Sequence, residues 1–185
     1  MEQLQYPIGR FSPKPDYTLN DIAKLLHIME TSPARYKTLL AGLSEADLAR
    51  TYRQGSWTVK QLIHHVADIH LLNYLRIKKL LTEEEHIATM IDMNAWAVQA
   101  DATEAPVSGS LLMLEGINDR FIFLLKKVDP QAFEKSFYHP VRKIHLSMKQ
   151  ALYMAVWHLE HHMAHIQIAL GREPHAFPFD QQAVV

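Results

Sequence analysis

A chain of 185 residues that is 48% hydrophobic and 21% charged can build one sizeable core, and two domains would be a squeeze. Its 19 basic and 20 acidic residues leave a formal net charge of −1, so it lacks the charge excess that draws proteins to nucleic acid or anionic membranes. The absence of cysteine excludes disulfides, thiolate nucleophiles and cysteine-based zinc sites, and any metal must be held by His, Asp or Glu.

Met1 to Pro7 has no apolar stretch of the secretory kind, and no apolar run approaches the ~18 residues of a membrane span. The expectation is one cytoplasmic domain over residues 1–185. The first helical pattern covers residues 19–43, with Ile22, Leu25, Leu26, Met29, Tyr36, Leu39 and Leu40 apolar. Pro33 inside it predicts a kink or a fresh start capped by Thr31 or Ser32. The second pattern covers residues 58–81, after the Gly55-Ser56 start signal, with Val59, Leu62, Val66, Ile69, Leu72 and Leu75 on its apolar stripe. Arg76-Ile77-Lys78-Lys79 at its end reads as a solvated face.

The third covers residues 110–128 and stops before Asp129-Pro130; the fourth covers 147–170 and is closed by Gly171. Residues 83–106 and 129–146 are longer than tight antiparallel loops need, so at least one of them crosses the bundle, and residues 91–100 around Trp96 have room for a short extra helix. No segment alternates convincingly like a strand. The fold class is therefore all-α, a four-helix bundle with long crossover connections. Pro13, Pro15, Pro174 and Pro178 mark extended ends that wrap it. Trp96, Tyr74 and Trp157 supply more aromatic surface than such a bundle needs inside, which predicts a homodimer interface.

Histidine carries the chemistry. Four of the 12 histidines fall within Trp157-His158-Leu159-Glu160-His161-His162-Met163-Ala164-His165, and His64-His65 interrupts the second helix. Histidines four apart share a helix face, so His158 with His162 and His161 with His165 are both ligand-spaced pairs, and periodicity does not choose between them. On the second helix His65 shares the stripe of Leu62, Ile69 and Leu72, whereas His64 lies beside Gln61 and Asp68, nearer the flank. Two histidines from one helix and one from a facing helix leave coordination positions open, as catalytic sites do. His27, His70, His86 and His175 read as isolated, partly exposed residues. There is no His-Glu-x-x-His, no nucleophile elbow, no phosphate-binding loop, and a single Glu-x-x-His (Glu83 to His86) where a di-iron bundle needs two.

The string Trp57-Thr58-Val59-Lys60-Gln61 followed by His64-His65-Val66-Ala67-Asp68, then Phe137-Tyr138-His139-Pro140, then Trp157-His158 with His161-His162 and Ala164-His165-Ile166, resembles the YfiT branch of the DinB-like superfamily. Tyr6-Pro7-Ile8-Gly9 and Pro106-x-Ser108-Gly109-Ser110 are similar as well. The resemblance runs over residues 6–168. It implies an up-down-down-up bundle, frequent homodimers, and a divalent ion on three histidines, which by motif are His65, His161 and His165. It also implies a metal-dependent hydrolase using metal-bound water on a small-molecule substrate. The alternatives are a thiol S-transferase of the bacillithiol type and a non-catalytic metal-binding bundle. Imidazole ligands suit Ni²⁺ or Zn²⁺. Glu160, His162, Asp68, Tyr138 and His139 are candidates to orient the ligands or handle protons.

Overall fold

Side-chain caps begin three of the four long helices. In the computed structural model, which describes residues 2–84 and 86–179, Thr18, Thr58 and Ser147 each form a reciprocal capping box with Asp21, Gln61 and Gln150. In chain order the elements are α1 (Glu2–Gln5), α2 (Leu19–Leu40), α3 (Glu45–Leu48), α4 (Val59–Thr82), α5 (Met93–Ala97), α6 (Ala100–Thr103) and α7 (Val107–Leu125). A 3₁₀ turn (Pro130–Glu134), strands β1 (Ser136–His139) and β2 (Ile144–Ser147), and α8 (Met148–Ala169) follow. Gly171 takes the left-handed conformation (φ 73°) just past α8, as its position predicts.

The long helices α2, α4, α7 and α8 form the bundle, in which α4 and α2 each touch both α7 and α8. Pairings along the helices give their directions. Lys149 at the start of α8 meets Asp16 just before α2 at 2.8 Å, so these two run parallel. Lys37 meets Glu115 and Lys126 meets Glu30, so α7 runs against α2. His64 meets Ser110 and Tyr74 meets Phe121, so α4 and α7 are parallel. The order along the chain is thus up-down-down-up, and the segments around α5–α6 and the strands make the crossovers.

Three expectations need correction. α2 runs unbroken through Pro33: the hydroxyls of Thr31 and Ser32 bond back to the carbonyls of His27 and Ile28 within the same helix, so neither caps a new one. The second crossover contains an antiparallel hairpin in the register Phe137↔Leu146 and Tyr138↔His145. Four-residue strands are too short to show alternation, and what fixes them is the burial of Phe137 and Leu146. Of the three aromatics read as surplus, Tyr74 and Trp157 are buried and Trp96 is 47% exposed. The ends do wrap the bundle, with Ile8, Phe11 and Phe177 packed around Trp157.

Candidate metal centre

Helices α4 and α8 bring five imidazoles together. His65 Nε2 lies 3.0 Å from His158 Nε2, and its ring stands edge-on to His162 with centroids 4.9 Å apart. One turn further along α8, His161 and His165 have ring centroids 4.3 Å apart, and His165 Nδ1 lies 3.4 Å from His162 Nδ1. Nitrogens ~2.05 Å from a tetrahedral ion are separated by about 3.3 Å, so both spacings are of ligand type. Aromatic rings hold the histidines in place: Trp57 against His65 at 4.7 Å, Trp157 stacked on His161 at 4.4 Å, and Tyr52 stacked on His165 at 3.9 Å.

Two triads have ligand nitrogens within 4.8 Å of one another: His65, His158 and His162, and His161, His162 and His165. His162 belongs to both. The expected set of His65, His161 and His165 is therefore divided between them, with His65 in one and the α8 pair in the other.

The electrostatics favour ligation. Burial pushes the His65 imidazolium down to about 4, and burial with His165 and His65 nearby takes His161 to about 3. Burial lowers His165 to about 4 against the opposing effect of the Gln5 and Leu4 backbone, and it holds His158 and His162 well below their ordinary range. All five are neutral at pH 7 and keep a lone pair. His165 donates from Nε2 to the Leu4 carbonyl at 3.1 Å, which fixes the tautomer and leaves Nδ1 unprotonated, facing His162 Nδ1 at 3.4 Å. His161 Nδ1 is buried with no hydrogen-bond partner among the described residues. An orphaned imidazole nitrogen in an all-nitrogen cluster fits a borderline divalent ion such as zinc or nickel.

The cluster is open on two sides. A cavity of about 340 Å³ is lined by Tyr6, Tyr52, Trp57, His161, His162 and His165. A second, of about 580 Å³, is lined by Trp157, His158, His139 and Arg76.

The remaining candidates lie elsewhere, apart from His139. The Glu160 carboxylate is buried against Arg35 in a two-pronged pair at 2.6 and 2.8 Å. His175 Nε2 sits 2.7 Å from Glu160 Oε2, off the best hydrogen-bond direction. Asp68 faces Asp101 of α6, and burial with that like charge pushes its carboxyl up to about 6. Tyr138 is in the hairpin, its ring against His145 and its backbone bonded to Ala88 and His86.

His64 is buried and bonded to Ser110 Oγ at 2.7 Å and the Ala105 carbonyl, because the flank it occupies is covered by α7. His70 and His86 are buried too, not partly exposed, while His27 is exposed and His175 partly buried, as expected. The Arg76 reading was also wrong: the residue is buried, on the stripe of Ile69, Leu72 and Asn73, a periodicity visible in the sequence but overridden there by its basic neighbours.

A model of the DinB superfamily matches residues 28–166. The chain belongs to that superfamily. YfiT of Bacillus subtilis is 37% identical over 163 residues, 88% of this chain and 92% of that one. A Bacillus pumilus protein is 39% identical over 172 residues, 93% and 98% of the two chains. The names of both place them, by inference, among metal-dependent hydrolases. The solved structure of the B. subtilis protein, described as "a probable metal-dependent hydrolase with an unusual four-helix bundle topology", superposes with a TM-score of 0.87 at 35% identity, covering 92% of this DinB chain and 99% of that one. A mycothiol-dependent maleylpyruvate isomerase shares the fold at 17% identity, with a TM-score of 0.64 over 85% of this chain and 64% of its own. Among the described residues, no helix is long and apolar enough to cross a membrane.

Proposed function

We propose that this DinB protein is a metal-dependent hydrolase acting on a small molecule, with a Ni²⁺ or Zn²⁺ ion held by His65, His161 and His165. The observation that carries the reading is the cluster of five neutral imidazoles between α4 and α8, open to two cavities, with no carboxylate in either triad. The unprotonated Nδ1 of His165, the orphaned Nδ1 of His161 and the motif match support this ligand set. A bound divalent ion supplies Lewis acidity, which polarises a carbonyl and makes water a better nucleophile near neutral pH. The chain itself does the rest. Trp57, Tyr52 and Trp157 fix the imidazole planes, Leu4 sets the His165 tautomer, and His162 offers a neutral nitrogen beside the reacting centre.

A second ligand set, His65 with His158 and His162, is favoured by the 3.0 Å contact between His65 and His158. Metal content of the single alanine variants separates the two. The expected result is loss of the ion in the His65, His161 and His165 variants and its retention in His158→Ala. The reverse pattern for His158 and His165 would assign the other set, and wild-type protein that takes up neither ion would remove the reading altogether.

Transfer of a small thiol is the second reaction to test, because two cavities meeting one cluster have room for a thiol and its electrophilic partner. Ester and amide turnover, with and without added thiol and chelator, decides between them. Turnover unchanged by stripping the metal would reject both.

A further inference from the structure

Among the described residues, the larger cavity contains a charge without an opposite. Arg76 of α4 is 6% exposed. Its guanidinium donates to the Thr89 carbonyl from Nε at 3.3 Å and Nη2 at 2.8 Å, and from Nη1 to Asn73 Oδ1 at 3.0 Å. A weak contact runs from Nη2 to Met90 Sδ at 3.7 Å. Among the described residues every acceptor is neutral, and the neighbouring charge that acts on it is another cation, Arg142, whose guanidinium lies 4.5 Å from the ring centre of Phe11 at the same cavity. A guanidinium keeps its proton, and a buried charge is normally paired because water no longer solvates it. Of its five N–H groups three are committed to oxygens, which leaves donors for a planar anion. The rest of the cavity is mostly apolar, with Phe11, Leu72 and Trp157 among its walls, and His158 of the histidine cluster opens into it.

We propose that this cavity of about 580 Å³ binds an organic anion with an apolar body and a carboxylate head, the head paired with Arg76 and the body lying against Phe11, Leu72 and Trp157. The pairing supplies the missing counterion, and the apolar walls supply affinity for the body. Identifying this anion as the substrate class rests on the metal-dependent hydrolase reading; the anion site itself does not. Arg76 would then position the substrate, its reactive end turned toward His158.

Calorimetric binding of 4-phenylbutyrate and its neutral isostere 4-phenylbutanamide tests this, on metal-loaded protein and again after chelation. The carboxylate should bind at least tenfold more tightly than the amide in both preparations. Arg76→Gln should erase the preference while leaving the amide affinity unchanged, and Arg76→Lys, lacking the planar fork, should retain part of it. Equal affinities in the wild type would overturn the proposal without any variant, so a variant that fails to fold does not shelter it. A preference that vanishes on chelation would give the anion to the metal and overturn it as well. Absence of hydrolytic turnover would leave these binding results intact, so the two readings fail separately.

Discussion

Burial keeps the cluster histidines neutral, and it acts in the opposite sense on Asp68. Desolvation and Asp101 raise the Asp68 carboxyl from 3.8 to about 6, so the folded state favours its protonated form. Between those values the folded chain binds more protons than the unfolded one, and stability falls as pH rises. Asp68→Asn should therefore stabilise the protein at pH 8, by roughly 1 kcal/mol after allowing for the partial exposure of the group, less at pH 5, and not at all below the ordinary aspartate range. Urea midpoints at the two pH values check this, and a gain independent of pH would contradict it. Asp68 was read as a helper of the ligands, and the charge that acts on it is Asp101 of α6; helix phase gives a direction from the axis, and only packing says which element lies there.

At the scale of elements, the Glu160–Arg35 pair joins α8 to α2, and His175 brings the C-terminal segment onto the same carboxylate. Burial alone would raise the Glu160 carboxyl, but the nearby His175 imidazole and the two hydrogen bonds from Arg35 hold it below its usual range. Removing one partner leaves a buried charge half paired, so Arg35→Ala should cost about 3 kcal/mol, read by chemical denaturation. Metal content should survive, because Glu160 bonds outward from the cluster; loss of the ion with the fold intact would restore Glu160 to the site. The Thr58 cap begins the helix that carries His65, and Thr58→Ala should cost about 1 kcal/mol in the same assay.

At the scale of the molecule, four packed helices bury enough apolar surface to fold without an ion, unlike a zinc finger. The chelated protein should unfold cooperatively, with a midpoint well above room temperature by circular dichroism. The cluster histidines His65, His161 and His165 have folded pKa values depressed below 6.5, so the unfolded chain binds more protons as pH falls through that value. Stability present above pH 6.5 should thus be lost towards pH 4, outweighing the contrary contribution of Asp68, and more steeply with metal bound because protons compete for the ligands. A urea midpoint flat between pH 7 and 5 would refute this. We propose a homodimer through the outer face of α7, where Leu112 and Phe123, three turns apart, are 66% and 69% exposed. Light scattering at micromolar concentration should give twice the monomer mass and Phe123→Asp the monomer; a wild-type monomer would reject it.

Local information was enough for much of this. The four helices follow from 3.6-residue periodicity and from caps such as Thr58 and Ser147, which act within a turn, and the histidine spacing on α8 marked that helix as the one that contributes most of the imidazole cluster. What depends on tertiary structure is whatever requires a neighbour distant in the chain. The hairpin exists because Phe137 and Leu146 bury together, and Arg76 is buried because residues 89–90 cover it. Two pairs four residues apart on one helix are equivalent until another helix approaches, and in this fold α4 brings His65 beside His158 and His162 while His161 and His165 meet the N-terminal segment. Periodicity places a side chain on a face; the packing of the bundle decides what that face meets.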